Sequence, residues 1–260
     1  MRVTILGSGH SGGTPVVGSG WGNCDPENPR NRRLRSSILV QNAGTTVLVD
    51  TSPDLRRQLL DSGVERLDAV LYTHSHADHL HGIDDLRAIN RVMNRPLDTY
   101  ADADTWETIR NRFPYVLRPL PEGTDFFYKP TLIAHEFKSG DSFTIGDIDV
   151  QTFEQDHGRV QTQGFRFGPI GYSTDVSELS DYAFDVLAGV EVWIIATLLD
   201  EPHQAHAHVD KALAWIERVK PKRAVLTHLS ELLDYDTLRA RLPEGVEPAY
   251  DGMVVEVDGR

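Results

Sequence analysis

The sequence is poor in cysteine, in positive charge and in long apolar runs. Its single cysteine, Cys24, rules out an intramolecular disulfide and is compatible with a reducing compartment. Lys and Arg number 26 against 39 Asp and Glu, and the formal charge of −13 argues against a broad nucleic-acid surface, since phosphate binding relies on clustered cations. No window approaches the apolar length of a membrane span, and the apolar run near the start is too short for a signal peptide. We therefore expect a cytoplasmic protein without membrane association.

The bulk composition is typical of a globular α/β protein. With 260 residues, 40% of them hydrophobic and 25% charged, the chain can bury a substantial core. Short apolar runs alternate with helical patterns, and no linker or change of composition divides them. We therefore predict one domain over residues 1–260. The sequence leaves the oligomeric state open, a homodimer included.

A group of imidazoles and carboxylates follows a predicted strand over residues 67–71. It reads His74-Ser75-His76-Ala77-Asp78-His79. The two histidines at alternate positions can converge on one cation, while the aspartate and the last histidine can turn toward a second. Imidazole and carboxylate ligands suit zinc, manganese or iron. The stretch therefore predicts a metal site rather than a solvated polar turn.

This stretch resembles the signature of the metallo-β-lactamase superfamily. The resemblance implies three further ligands, and suitable residues do follow later predicted strands, namely His157, Asp175 and His228. It also implies that Asp50, at the end of a predicted hairpin, supports the metal-binding loop by hydrogen bonding. The implied fold is a four-layer αβ/βα sandwich with the site at the edge where its two sheets meet.

The resemblance assigns the ligands to two divalent ions. One set would hold the first ion and a second set the other, with one aspartate and a hydroxide bridging them. The first set is His74, His76 and His157; the second is Asp78, His79 and His228; the bridging residue is Asp175. Asp78 is therefore expected to take part in catalysis as well as in metal binding.

Within the superfamily, the sequence is similar to the phosphoribosyl cyclic phosphate phosphodiesterases of the carbon–phosphorus lyase pathway. The similarity rests on the glycine-rich start (7–18), the stretch after the metal motif (82–87) and the segments 225–228 and 250–253. It implies hydrolysis of a small, cyclic ribosyl phosphodiester. A histidine about twenty residues before the last ligand acts there as general acid, and His206 matches that position, with His208 as the neighbouring competitor. Arg87 is the candidate contact for the phosphate, through its planar fork of donors.

One feature departs from that family. The phosphonate-pathway enzymes hold a structural zinc through clustered cysteines and a histidine just past the last ligand. Here Cys24 stands alone and Glu231 occupies the histidine position. We therefore expect no structural zinc, which weakens the assignment to phosphonate metabolism and leaves the catalytic ligands unaffected.

Other functions are compatible with the same ligands. Transfer-RNA 3′-end processing nucleases share them but need an RNA-binding arm, for which the acidic sequence offers no basic insertion. Hydrolysis of a thioester or β-lactam, a role like that of the pyrroloquinoline-quinone biosynthesis protein, and a non-enzymatic metal-dependent binding protein stay open. The metal itself is open among zinc, manganese and iron.

Two segments outside the motif carry further expectations. His10 lies in a glycine-rich loop whose spacing does not complete a dinucleotide-binding motif, and it is a candidate substrate contact. Four arginines crowd the end of an irregular segment and are expected on a solvated face, with attraction of an anion as the alternative: Arg30, Arg32, Arg33 and Arg35.

Overall fold

The computed structural model describes residues 1–257, in which two β-sheets pack face to face between layers of helices. The predicted domain extends to residue 260, and its last three residues lie outside the described ones. The strands are β1 (Arg2–Gly7), β2 (Ser37–Asn42), β3 (Thr45–Val49), β4 (Ala69–Leu71), β5 (Leu97–Ala101), β6 (Leu132–Glu136), β7 (Ser142–Ile145), β8 (Ile148–His157), β9 (Val160–Phe167), β10 (Ile170–Ser173), β11 (Glu178–Leu179), β12 (Val192–Ala196), β13 (Arg223–Thr227), β14 (Val246–Pro248) and β15 (Val254–Glu256). The helices are α1 (Leu55–Ser62), α2 (Ala77–Leu80), α3 (Leu86–Met93), α4 (Ala103–Arg112), α5 (Asp181–Leu187), α6 (Val209–Val219) and α7 (Tyr235–Arg241).

The first sheet has the strand order β15-β1-β2-β3-β4-β5-β6 and the second the order β11-β8-β9-β10-β12-β13-β14, with β7 paired to β8. The pairs from β3 to β6 and from β10 through β12 and β13 to β14 are parallel. Parallel strands are covered on both faces, so they carry apolar side chains on both. The strands of the two sheets therefore form the two middle layers.

The core has three parts that match this layering. In β3, Val47 and Val49 point into the space between the sheets, while Leu48 points to the helix side. In β12, Ile194 faces the space between the sheets and Trp193 faces the second helix layer. The alternation follows from the two-residue period of a strand. The predicted four-layer αβ/βα sandwich is confirmed.

After the metal motif the sequence pattern predicts one helix over residues 80–93, but the observed helix is interrupted. The chain forms α2, a 3-10 turn over Ile83–Asp85 and then α3. A Cβ atom on Gly82 would lie only 1.9 Å from the carbonyl oxygen of Ser52. The Gly82 N–H donates to Thr51 at 2.8 Å, and the Thr51 N–H donates to the carbonyl of His79 at the same distance. The metal-motif loop is thus fixed on the loop that follows β3.

The carboxyl ends of several strands bring chemically active side chains to one edge of the sandwich. Asp50 follows β3, the metal motif follows β4, His157 ends β8, Asp175 follows β10 and His228 follows β13. Side chains at the carboxyl ends of neighbouring parallel strands meet at the same edge of a sheet. No helix within residues 1–257 has the length and apolar character needed to cross a membrane.

Candidate metal centre

The seven predicted ligands lie together at this edge. One set of ligand atoms, all within 4.8 Å of one another, comes from His74, His76 and His157. A second set meets the same criterion and comes from Asp78, His79, Asp175 and His228. The two sets correspond to the two groups that the resemblance implied, and the structure places Asp175 in the second of them.

Hydrogen bonds to the side-chain oxygens of Asp50 and Thr73 fix the rings of two of these histidines. Asp50 accepts from Nδ1 of His79 at 2.7 Å, from the Thr73 N–H at 2.8 Å and from the Thr73 hydroxyl at 2.8 Å. Because the Thr73 hydroxyl gives its hydrogen to Asp50, its oxygen must accept from Nδ1 of His74, which lies 3.0 Å away. Both rings therefore carry a hydrogen on Nδ1, and their Nε2 atoms are left to face the site.

The other buried histidines are oriented in the same way. The Ser36 hydroxyl donates to the carbonyl of Gly9 at 2.9 Å, so its oxygen accepts from Nδ1 of His228 at 3.0 Å. Nδ1 of His157 lies 2.7 Å from the Ala205 carbonyl, which can only accept. In both rings the Nε2 lone pair is again left to point into the site. Partners of this kind fix the tautomer of metal-binding histidines.

Asp175 lies at the centre of these lone pairs. Its Oδ2 is 2.6 Å from Nε2 of His79, and its Oδ1 is 3.2 Å from Nε2 of His228 and 3.8 Å from Nε2 of His157. Nε2 of His74 is buried without a hydrogen-bond partner among the described residues. Electron-pair donors that converge this closely require positive charge between them. The residues therefore fit divalent metal ions, which nitrogen and carboxylate ligands of this kind bind.

The local electrostatics show the same requirement. Burial raises the pKa of Asp175, but His228 and His79 outweigh it and hold that pKa well below its usual range. Burial also opposes protonation of His79, yet Asp78 and Asp175 raise its pKa well above the ordinary value. Burial lowers the pKa of His228 to about 4. Asp78 and Asp175 thus draw a proton onto His79, and binding of a divalent ion there would release it, because an imidazole must be deprotonated to act as a ligand.

Three site residues adopt backbone conformations that are unfavourable for residues with a side chain. Asp50, Asp175 and His228 have φ angles of 65°, 47° and 58°, in the left-handed region. Such conformations persist only where the surroundings impose them, and they concentrate at functional sites. Each of these residues directly follows a strand or lies within two residues of its end. The strand ends therefore turn sharply in order to present their side chains to the site.

Among the remaining predicted residues, His206 also reaches the centre. Its Nδ1 lies 3.3 Å from Oδ1 of Asp175, and its ring stacks on that of His228 with centroids 5.1 Å apart. Together with His157 and Asp175 it forms a third set of converging ligand atoms. Burial, together with the neighbouring His228, lowers the pKa of His206 to about 3.

His208 and Arg87 are placed differently. His208 precedes α6, where its carbonyl accepts the Ala212 N–H but its side chain makes no capping hydrogen bond. Arg87 is exposed on α3 and donates to the carbonyl of Tyr128 at 3.4 Å, in the loop that precedes β6. The structure thus joins Arg87 to that loop, and its role in phosphate binding stays a prediction, as does the role of His208.

One expectation for the arginine-rich segment is wrong. Arg33 is only 2% exposed, because its guanidinium donates to the carbonyls of Ser230 at 2.8 Å and Leu233 at 2.7 Å. Its Nη1 also lies 3.9 Å from Sγ of buried Cys24. These carbonyls follow His228 in the chain, so Arg33 connects the segment before β2 to the loop behind the last ligand. A solvated face was expected from the charge of the arginines. Charge alone could not predict that Arg33 has backbone carbonyls as partners.

His10 forms a contact that the sequence did not predict. Its Nε2 lies 3.2 Å from the carboxylate of Glu231, while its N–H donates to the carbonyl of Leu229, directly after His228. Glu231 also accepts from the Ser19 hydroxyl at 3.0 Å. His10 thus lies beside the centre and is held by Glu231, the residue at which the sequence departs from the phosphonate-pathway pattern.

Known proteins resemble the chain over nearly its whole length. It is 35% identical over 263 residues to an octanoyltransferase of Porphyromonas gingivalis, with 99% of the chain and 52% of that relative aligned. The chain spans about half the length of that relative, and the name belongs to the longer protein. It is 29% identical over 226 residues to the exodeoxyribonuclease WalJ of Streptococcus pneumoniae, which covers 80% of the chain and 76% of that relative.

A solved structure matches more completely. A crystal structure described as a new diphosphatase from the PhnP family superimposes with a TM-score of 0.90 and 31% identity, covering 99% of this chain and 98% of that one. The family model of the β-lactamase superfamily domain matches residues 45–229, from β3 to the residue after His228. Since this match covers most of the chain and contains all seven candidate ligands, the chain belongs to the metallo-β-lactamase superfamily.

Proposed function

We propose that the protein hydrolyses small phosphodiesters, cyclic ribosyl phosphodiesters among them, at a centre that holds two divalent metal ions. The observation that carries the proposal is the set of four histidines whose Nδ1 atoms are hydrogen-bonded, three of which place Nε2 within 3.8 Å of the Asp175 carboxylate. The resemblance to a PhnP-family diphosphatase and to an exodeoxyribonuclease supports chemistry at phosphorus.

The residues that would hold the ions are those of the two converging sets. His74, His76 and His157 would hold one ion, and Asp78, His79 and His228 the other, with Asp175 between them. Bound at such a centre, two divalent ions make water acidic enough to act as a nucleophile and offset negative charge on the phosphoryl oxygens. Zinc and manganese suit this mixture of imidazole and carboxylate ligands, and iron is compatible with it.

The protein's own groups would orient the reactants and move the protons. Asp78 is half-buried beside His79, 3.2 Å from its Nε2, and can accept a hydrogen bond from the attacking water. As the water oxygen bonds to phosphorus, the bond from phosphorus to the leaving oxygen breaks. His206 would protonate that leaving oxygen from Nε2, because its Nδ1 faces Asp175. For this the ring must carry a hydrogen on both nitrogens, which the negative charge of a bound phosphodiester favours against the burial that lowers the pKa of His206 to about 3. A positioned general acid contributes about 10²–10⁴-fold.

The charge of the chain favours a small substrate. A formal charge of −13 disfavours binding of a long nucleic acid, whose affinity depends on many phosphate contacts. A dimetal centre supplies its own local positive charge for a single phosphodiester. We therefore propose a small phosphodiester partner, no extended nucleic-acid surface and no membrane surface.

Hydrolysis of a diphosphate linkage is the second candidate, because the resembling crystal structure is described as a diphosphatase. The two bonds differ in their leaving groups: an alkoxide needs a proton, whereas a phosphate is already a stable anion. The variant His206→Ala, compared on substrates of each kind, therefore separates the two candidates.

The first experiment is turnover of bis(p-nitrophenyl) phosphate by the metal-loaded protein, followed by a panel of cyclic nucleotides, ribosyl cyclic phosphates and dinucleoside diphosphates. Measurable turnover that disappears with a chelator and returns with zinc or manganese would support the proposal. A protein that holds two ions but hydrolyses none of these compounds would contradict it and favour a thioester substrate or a binding role.

A further inference from the structure

Asp175 is held by two buried side chains on the neighbouring β8–β9 pair. Thr162 and Gln155 are directly opposite each other in the antiparallel register of β9 and β8. The Thr162 hydroxyl donates to the backbone carbonyl of Asp175 at 3.0 Å. The Gln155 amide donates to the Thr162 hydroxyl oxygen at 3.2 Å and to the carbonyl of Thr174 at 2.9 Å. The two side chains thus bind the carbonyls of both residues that follow β10.

The hydrogens in these contacts are matched consistently, while Oε1 of Gln155 is buried without a partner among the described residues. The Thr162 hydroxyl has one hydrogen, which Asp175 receives, so its oxygen is free to accept from Gln155. Thr162 is fully buried and Gln155 is 1% exposed. A Cβ atom on Gly164 would lie 2.7 Å from Oε1 of Gln155 and 2.2 Å from the Phe153 ring, so glycine at this position leaves room for the amide.

The backbone of Asp175 needs such support. Its φ angle of 47° lies in the left-handed region, which non-glycine residues adopt only where their surroundings impose it. This conformation directs Oδ1 toward His228 and Oδ2 toward His79. If the turn relaxed, the carboxylate would lose its place between the histidines.

We propose that Gln155 and Thr162 are positioning residues that hold Asp175 in its left-handed conformation and thereby set the affinity of the centre for metal ions. The inference rests on the metal centre of the proposed function, but not on the identity of the substrate. Residues that orient metal ligands typically contribute 10–100-fold to metal affinity.

The test compares two valine substitutions in the same strand pair. Thr162→Val removes the hydroxyl and keeps the shape. Thr152→Val is the matched control, because Thr152 is also fully buried and its hydroxyl also donates to a backbone carbonyl, that of Lys138 at 2.8 Å. Zinc dissociation constants are measured by competition with a chromophoric chelator, and the melting temperature of each metal-free protein is recorded alongside.

We expect Thr162→Val to raise the zinc dissociation constant by at least tenfold. The dissociation constant of Thr152→Val should stay close to that of wild type, even if the two substitutions lower the melting temperature equally. Thr162→Ser, which restores the hydroxyl, should recover the affinity. Gln155→Met, which removes the amide group and keeps a side chain of similar length, should weaken binding in the same direction and provides the test if Thr162→Val does not fold.

The inference would be overturned if Thr162→Val and Gln155→Met both bound zinc with wild-type affinity. It would also be overturned if Thr162→Val and Thr152→Val lost zinc affinity equally. The proposed function fails separately, if the wild-type protein binds two ions but hydrolyses no phosphodiester or diphosphate. In that case the affinities of the variants still decide whether the two residues position Asp175. A wild-type protein that binds no zinc would overturn both.

Discussion

The carboxylate of Asp50 accepts a hydrogen bond of 2.7 Å from Nδ1 of His79, and both side chains are fully buried. This contact links the end of β3 to the metal motif 29 residues later. Since the Asp50 carboxylate is also bonded to the N–H and hydroxyl of Thr73, it orients His79 directly and His74 through the threonine. One buried carboxylate therefore fixes one histidine in each ligand set.

Metal content is the first prediction. Reconstituted protein should hold two divalent ions per chain, and His228→Ala should hold one, because one set then lacks its buried imidazole. His81→Ala is the matched control, since His81 is exposed just after the motif and contacts only the Phe113 ring among the described residues. Elemental analysis measures the ions. Fewer than two in wild type would contradict the dinuclear centre, and a third would contradict the expected absence of a structural zinc at Cys24.

Metal removal should also lower stability. An ion that binds only the folded chain stabilises it by about 2.7 kcal/mol when its free concentration is 100 times its dissociation constant. Chelation should therefore lower the melting temperature of wild type and of His81→Ala, and lower that of His228→Ala by less.

Arg33 provides the second prediction. Arg33→Ala should cost on the order of 3 kcal/mol in the free energy of unfolding, because it leaves the buried carbonyls of Ser230 and Leu233 without donors and opens a cavity. The control is Arg32→Ala. Arg32 is exposed and lies over the Trp21 ring at 4.9 Å, a contact commonly worth less than about 1 kcal/mol. Urea denaturation of both variants makes the comparison, and similar losses would show that the carbonyl contacts contribute little.

The sequence could predict those features of the structure that depend on residues close together in the chain. The amphipathic period of the sequence predicts helices over residues 209–219 and 54–62, the latter ended by Gly63. The structure has α6 over the first range and α1 one residue shorter at the start of the second. The seven candidate ligands could be named because the motif after β4 and three later strand ends follow one another in the order of the family that the sequence resembles, and the structure brings them to one edge. Arg33 was misjudged because its partners are some 200 residues away in the chain.

The elements that were missed depend on tertiary pairing. Strands β6, β11 and β14 are short or largely exposed, and their strand character comes from the neighbour that they pair with. The break between α2 and α3 follows from the close approach of Gly82 to Ser52, which no periodicity reveals. Likewise Ser36, Gln155 and Thr162 are ordinary polar residues in sequence and gain their roles only through the partners that the fold supplies.

The pH dependence of stability is the third prediction and concerns Asp251. This buried carboxylate accepts hydrogen bonds from the N–H and hydroxyl of Ser8 and from the Leu34 N–H, yet burial raises its pKa from 3.8 to about 6. The pKa of Asp251 is higher in the folded than in the unfolded protein, so protonation of this side chain stabilises the fold. That contribution is complete below about pH 3.8 and is lost as the pH rises through about 6. The shift corresponds to about 3 kcal/mol.

The measurement is the free energy of unfolding of wild type and of Asp251→Asn between pH 4 and pH 7. Both proteins carry the same metal ligands, whose titration cancels in the difference. The free energy of unfolding of wild type should rise relative to that of Asp251→Asn as the pH falls. The altered contact with Leu34 adds only a constant difference between the two proteins and does not change this trend. A difference that does not change with pH would mean that the pKa of Asp251 is close to 3.8 in the folded protein.

His206 is the subject of the last prediction, and it tests the proposed proton transfer. An alkoxide leaving group needs a proton, whereas p-nitrophenolate is already stable. His206→Ala should therefore lower kcat on cyclic or alkyl phosphodiesters by about 10²–10⁴-fold, about 3–5 kcal/mol in barrier height. Activity on the nitrophenyl ester should fall much less, and metal content should stay at two ions.

The control is His208→Ala, because His208 is two residues away, in front of α6, with a side chain that makes no capping bond. It should keep most of its activity on both kinds of substrate. Equal losses on both substrates in His206→Ala would show that His206 orients the substrate or the metal ions through its contact with Asp175 at 3.3 Å, rather than donating a proton. An active His206→Ala beside an impaired His208→Ala would transfer the role to His208. Because the His206 ring stacks on His228, the metal content of each variant must be measured before its activity is compared, so that loss of a ligand contact is not counted as loss of the acid.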